Sequence, residues 1–204
     1  MNTVNGLSAA QMDRAAYLTD EQRSALLQPL EHERVDQNES GQKYIPQWDV
    51  RAQLNKIFGF GRFDIEVLDK QKIVDSRGEE FCFVVYEATV RLTVYDQHGR
   101  RLGRWEDVAA ADATGHKNPK PKQLGLGQAY HTAQTSAVST ALRRCASNLG
   151  DQFGLSLYNN GSTDPVVGYT LFDPLPEDED GLLQGEHEST AQYTEDPEAV
   201  HAAS

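Results

Sequence analysis

Arg143 and Arg144 stand side by side near the end of the one long, uninterrupted helical pattern in the chain, QAYHTAQTSAVSTALRRCASNLG, from Gln128 to Gly150. Guanidinium groups are permanently charged and present several donors in a planar fork, which suits them to phosphate oxygens. The same pair also serves as helix-end electrostatics, because a cation near a helix C-terminus favours the dipole and Gly150 suits a left-handed stop. The residues alone leave these two readings even. A second set, Lys117, Lys120 and Lys122, lies in TGHKNPKPKQLGLG, Thr114 to Gly127, where Gly and Pro work against regular structure. A flexible basic loop can grip a polyanion, and surface lysines on a loop are as common with no role. Arg51, four residues before Asn55 on a shorter helical pattern, is a third cation, with a solvated surface charge as its simpler reading.

Charge along the chain favours a polyanion more than the total does. The net charge is -12, but no Lys or Arg follows Arg144, while 12 acidic residues lie between Asp151 and Glu198. Residues 1–144 therefore hold all 19 basic residues against 19 acidic ones, and Gly99 to Arg144 holds 8 basic against 3 acidic. The acidity belongs to the C-terminal segment, and the positive charge is concentrated just before it.

The elements that position these residues are read from periodicity. Val138, Leu142, Cys145 and Leu149, with Ala133, Ala137 and Ala141 beside them, give the long helix an apolar face built to lie on a sheet. Cys82, Val84, Tyr86, Ala88, Val90, Leu92 and Val94 occupy one side of a strand at strict period two. Phe63, Ile65 and Val67 alternate on a strand before it, from Arg62 to Val74. Asp96 to Gly99 makes a hairpin turn, and Arg100 to Ala113 returns with a bulge near Gly103. Upstream, Thr19 and Gln22 have capping-box spacing ahead of Leu26, Leu27 and Leu30, and a short helix ends near Pro29. Glu31 to Gln42 reads as a polar loop. Pro46 opens a helix with Val50, Leu54, Ile57 and Phe58 on one side and Gly59 at its end. Phe153, Leu155, Leu157 and Tyr158 are available to close the core.

These elements predict an α+β fold, an antiparallel beta-beta-beta-alpha core with N-terminal helices. Residues 1–17 are expected to be flexible, 18–160 to fold, and 161–204 to be an acidic disordered tail. Tyr169, Leu171 and Phe172, ahead of the acidic run, are a candidate docking motif for a partner or for the chain's own basic groove; a plain solubilising tail is the simpler reading. Cys82 and Cys145 fall inside apolar segments and read as small buried thiols in a reducing compartment. No run approaches a membrane span or signal-peptide core, so a soluble cytoplasmic protein is expected.

Tyr44-Ile45 followed by RAQLNKIFGFGRF, a hairpin returning through WEDV, and a final helix ending STALRRCASNLGDQFGLSLY together resemble the Rad-fifty-two family of single-strand annealing proteins, including phage-encoded and bacterial relatives. The resemblance spans residues 19 to 158. It implies binding of single-stranded DNA and annealing of complementary strands in recombination and repair without nucleotide hydrolysis, no cofactor, and homo-oligomeric assembly into a ring or helical array with a cationic groove. It carries Arg51, Phe60, Arg143 and Arg144 over as inner-groove residues holding the DNA backbone. Ser147 stands where relatives have a further basic residue, and Tyr95 and Thr135 replace lysines of a second DNA site. Lys117, Lys120 and Lys122 are offered as replacements for those charges.

Two other classes compete. An adaptor would oligomerise through its domain and recruit a protein partner through its acidic tail. A metal-dependent nuclease would assemble Glu106, Asp107 and Asp112 with His116 and His131, but strand alternation sends Glu106 and Asp107 to opposite faces and neither histidine has a partner at ligand spacing. No G-x-x-x-x-G-K-[ST] phosphate loop is present, which disfavours an ATP-driven machine of that type.

Overall fold

The computed structural model describes residues 18–38 and 40–170. Its order is α1 (Asp20–Leu26), a 3-10 turn (His32–Arg34), β1 (Asp36–Gln37), β2 (Lys43–Tyr44), α2 (Gln47–Phe58), β3 (Phe63–Arg77), β4 (Phe81–Tyr95), β5 (Arg101–His116), β6 (Leu124–Gly125), α3 (Leu126–Ser147) and two closing 3-10 turns, Asp151–Phe153 and Ser156–Tyr158. The fold is α+β. β3, β4 and β5 are successive antiparallel neighbours, and β6 pairs parallel with the end of β5 through Gly115 and His116.

Alternation on β4 explains where the core lies. Cys82, Val84, Ala88, Val90, Leu92 and Val94 are all buried on the side that α3 covers. Fully burying each of the larger aliphatic side chains contributes roughly 1.5–3 kcal/mol. Small side chains let the helix come close. Ala129, Ala133, Ala137 and Ala141 recur every four residues and are buried, and Ala109 and Ala113 are buried on β5. Gly115 marks the closest approach: a Cβ there would meet the Ala129 Cβ at 2.8 Å and the Gly125 carbonyl oxygen at 2.9 Å. Cys145 Sγ donates to the Val90 carbonyl at 3.2 Å, and burial pushes its thiol pKa up to about 11. Such a thiol is structural rather than reactive.

The N-terminal elements pack across the end of this unit. Thr19 and Gln22 form the expected reciprocal capping box, with Thr19 Oγ1 accepting from Gln22 N at 3.2 Å. Val50, Leu54, Ile57 and Phe58 of α2 join Val90, Leu92, Leu142 and Cys145 in one core. Gly59 caps α2 at φ 96, a backbone conformation that side chains with a Cβ rarely adopt. Arg34 binds Asp49 of α2 at 2.7 Å and the Gln152 carbonyl at 2.8 Å, with both charged side chains almost wholly buried. Removing either member of such a buried pair costs about 3–5 kcal/mol. Beyond residue 160 the chain stays attached: Asp151 Oδ2 accepts from Val166 N and Val167 N, each at 3.0 Å, and Thr163 Oγ1 meets the His32 ring.

Several expectations are corrected. Glu31 to Gln42 is not merely a loop, since β1 and β2 pair there as a small hairpin, Asp36 with Tyr44 and Gln37 with Lys43. The segment between strand and helix shrinks to residues 117–123, because β5 runs on to His116 and α3 starts at Leu126. The bulge near Gly103 is present, with Val94 opposite Gly103 and Tyr95 opposite Arg101. Tyr158 does not close the core but is 66% exposed. The expectations for residues 1–17, for Leu171 and Phe172, and for the acidic run lie outside the described residues.

Candidate nucleic-acid interface

A groove of about 920 Å³ runs between the outer face of α3 and the β1–β2 hairpin. One wall is Thr135, Ser136, Ser139, Thr140 and Arg143; the other is Gln42 to Gln47, and Phe153, Leu157, Tyr158 and Gly161 close it. The helix places Thr135, Ser139 and Arg143 in line because residues four apart share a face. Its alanine stripe is on the opposite side, against the sheet, so one helix serves both core and groove. Among the described residues, twenty line the space, and they include Lys43, Arg143 and Arg144 but no Asp or Glu. Four of them are hydroxyl side chains of α3, which donate to phosphate oxygens as readily as to water.

Arg143 is the centre of this arrangement. Its guanidinium carbon sits 4.7 Å from the centroid of the Tyr44 ring, and Nη2 donates to Thr140 Oγ1 at 2.8 Å. The side chain is half-buried, and burial lowers its pKa, with the Tyr44 and Tyr158 phenols acting the other way. Arginine remains protonated regardless. Among the described residues no carboxylate pairs with it. A cation partly withdrawn from water without a counter-ion bears an uncompensated desolvation cost, which an incoming anion would relieve.

Arg144 differs from its neighbour. One residue along the helix is about 100° around it, so Arg144 turns outward, and its Nε pairs with Asp107 Oδ1 of β5 at 2.9 Å. Lys43 lies across the groove, its Nζ donating to the Gly161 carbonyl at 2.9 Å.

The remaining predicted residues are placed elsewhere. Arg51 is exposed on α2, one turn beyond the groove residue Gln47. Phe60 follows α2 and is 87% exposed. Lys117, Lys120 and Lys122 are exposed in the turn before α3. That turn is at the opposite end of the helix from Arg143, roughly 25 Å away at 1.5 Å per residue, so the structure does not bring these lysines to the groove.

Other groove residues were missed by sequence reasoning: Lys43, Tyr44, Tyr158 and the α3 hydroxyls. Lys43 and Tyr44 belong to a two-residue strand that no periodicity reveals. The hydroxyls were legible as the polar stripe opposite the alanines. The nuclease constellation is not assembled. Glu106 accepts from Arg91 Nε at 2.8 Å, Asp107 is paired with Arg144, and no group of three or more His, Cys, Asp or Glu suited to a metal occurs among the described residues. No helix among them is long and apolar enough to cross a membrane.

The sequence pattern of the Rad52/22 family double-strand break repair protein matches residues 19–167. No curated protein matches the chain. Among solved structures, a chain from Caulobacter crescentus described as a candidate lipoprotein is 12% identical, with a TM-score of 0.29, covering 50% of this chain and 78% of its own. That likeness carries no argument.

Proposed function

Because this chain belongs to the Rad52/22 family of double-strand break repair proteins, we propose that it binds single-stranded DNA in the Arg143 groove and anneals complementary strands without nucleotide hydrolysis. The observation that carries this reading is a half-buried arginine that, among the described residues, has no carboxylate partner, in a groove whose described lining holds cations and hydroxyls and no Asp or Glu. Annealing needs the sugar-phosphate chain held while base edges stay available to a complement, so donors belong on the backbone and not on the bases. Arg143, Lys43 and the Thr and Ser hydroxyls supply such donors. Arg51 and Phe60 extend the path along α2. Nothing in this chemistry makes or breaks a covalent bond, and we assign no catalytic residue.

Few contacts per subunit bind weakly, and repetition around an assembly makes them strong. Support for assembly comes from the sheet. β3 is an open edge over fifteen residues with Val67, Leu68, Ile73 and Val74 exposed, and β5 is covered by β6 only at its last two residues. A strand edge leaves backbone N–H and C=O groups that can pair with another chain. Because the two edges differ, copies joined through them would run head to tail, as a ring or helical array requires. Residues 117–122 are kept as an outlying basic contact, and the acidic segment after residue 170 as a recruiter of a protein partner.

Mixing complementary oligonucleotides with the purified chain, without nucleotide, tests the reading. Duplex formation faster than the spontaneous rate, lost in the Arg143→Ala, Arg144→Ala double variant while sedimentation and circular dichroism are unchanged, is the expected result. Degradation of the strands with magnesium or manganese would replace it with the nuclease reading, and absence of any oligonucleotide binding with the adaptor reading.

A further inference from the structure

Trp48 is 70% exposed on α2, and among the described residues its indole makes no hydrogen bond or ring contact. Leaving a tryptophan bare forfeits the burial energy of the largest apolar side chain, so its position is informative. Pro46 and Gln47 line the groove, and Trp48 is the next residue. Going round α2 from Gln47, Arg51 lies about 40° on, Asn55 about 80° and Trp48 about 100°. Ala52 and Lys56 complete this solvent face, while Asp49, Val50, Gln53 and Leu54 are buried on the other. A cation and an indole, each without a partner among the described residues, thus share one strip of helix leading out of the groove mouth; the Asn55 amide merely donates back to the Arg51 carbonyl at 3.0 Å.

We propose that Trp48 is a base-stacking platform at the groove mouth, taking the face of one nucleobase of the strand whose backbone Arg143 and Arg51 hold. The inference rests on the groove reading above and adds a contact to the base itself. Stacking engages only the π-face, so the Watson–Crick edge stays free for a complement, and it is tolerant of sequence because every base has such a face. A phosphate on Arg51, three residues along the same strip, fixes the backbone while the indole meets the adjoining base. Cation and ring together discriminate for unpaired DNA, since the bases of a duplex are already stacked and closed to the indole.

The test compares two oligonucleotides of equal length and charge, a thymidine run and an abasic run, on the full chain and its Trp48→Ala and Trp48→Phe variants. Base–aromatic stacking predicts a roughly 5- to 150-fold loss of affinity for the thymidine run in the alanine variant. It predicts no loss for the abasic run, near-native binding of thymidine by the phenylalanine variant, and quenching of tryptophan emission in the native chain that the phenylalanine variant lacks. Unchanged thymidine binding by the alanine variant would overturn the platform while leaving the groove reading intact. So would equal losses on both oligonucleotides, or dispersal of the assembly in sedimentation, either of which would make Trp48 structural or a contact between copies. Failure of the native chain to bind either oligonucleotide would overturn both readings.

Discussion

The two ends of α3 each set cations against an aromatic ring, and they differ in one component. Near the C-terminal end, Arg143 lies 4.7 Å from the Tyr44 ring centroid with no carboxylate partner among the described residues. Near the N-terminal end, Lys72 and Arg77 lie 5.6 and 5.5 Å from the Tyr130 ring, and Asp75 pairs with both while accepting from the Tyr130 hydroxyl at 2.7 Å. Hydrogen bonds from Arg77, Lys72 and Tyr130 hold the Asp75 carboxyl far below the usual carboxylate range. At one end a carboxylate engages both cations and offsets part of their charge, and at the other the described residues leave the cation without an acid. A count of basic residues does not distinguish them; the position of one carboxylate does.

The largest expected effect breaks the open end. A charge-assisted hydrogen bond is worth about 1.5–3 kcal/mol, so Arg143→Ala should weaken binding of a short oligonucleotide by about 10- to 150-fold per engaged subunit, measured by fluorescence anisotropy. Arg143→Lys should recover part of it, keeping the charge and losing the planar stack on Tyr44. The next effect opens the closed end. Asp75→Asn releases Lys72 and Arg77, so affinity should rise a few-fold and the salt slope should steepen, with Lys72→Ala added to Asp75→Asn removing part of the gain. No change in Asp75→Asn would mean that geometry, not pairing, silences that end.

Smaller still is the contrast between neighbours. Arg144 is exposed and already paired, and such pairs contribute about 0–1 kcal/mol, so Arg144→Ala should cost no more than about five-fold and Asp107→Ala should slightly improve binding. Last comes acidity. A carboxyl with a depressed folded pKa contributes stability that is present above its unfolded value, near 4, and is lost as pH falls through the folded one. Thermal melts at pH 7 and pH 3 should therefore show a slightly smaller acid-induced drop in Asp75→Asn than in the native chain.

What the sequence disclosed follows from what periodicity can encode. Alternation from Cys82 to Val94 and the Ala133, Ala137, Ala141 stripe predict β4, α3 and their contact, and the Thr19 box and Gly59 stop are local chemistry that needs no partner. Arg143 and Arg144 were visible as a pair, but that one would rest on Tyr44 and the other on Asp107 depends on residues 99 and 37 positions away in the chain. The β1–β2 hairpin escaped because two-residue strands carry no period, and with it went Lys43, Tyr44 and an entire wall of the groove. Tyr158 points out of the core because the chain there breaks into short 3-10 turns around Gly154, and an aromatic residue type alone does not reveal that direction. Lys117, Lys120 and Lys122 are legible as a basic cluster, but how far they lie from Arg143 depends on the length of the helix that separates them.

The central proposal is that Arg143, which has no carboxylate partner among the described residues, holds a phosphate of single-stranded DNA. Its most direct test is the salt dependence of oligonucleotide affinity for the native chain and Arg143→Ala, both confirmed as equally folded and equally assembled. Each phosphate contact adds about 0.7 to the log-log slope on single strands, so the variant should bind more weakly and show a slope shallower by about that amount for each subunit engaged. Equal affinities with equal slopes would contradict the account.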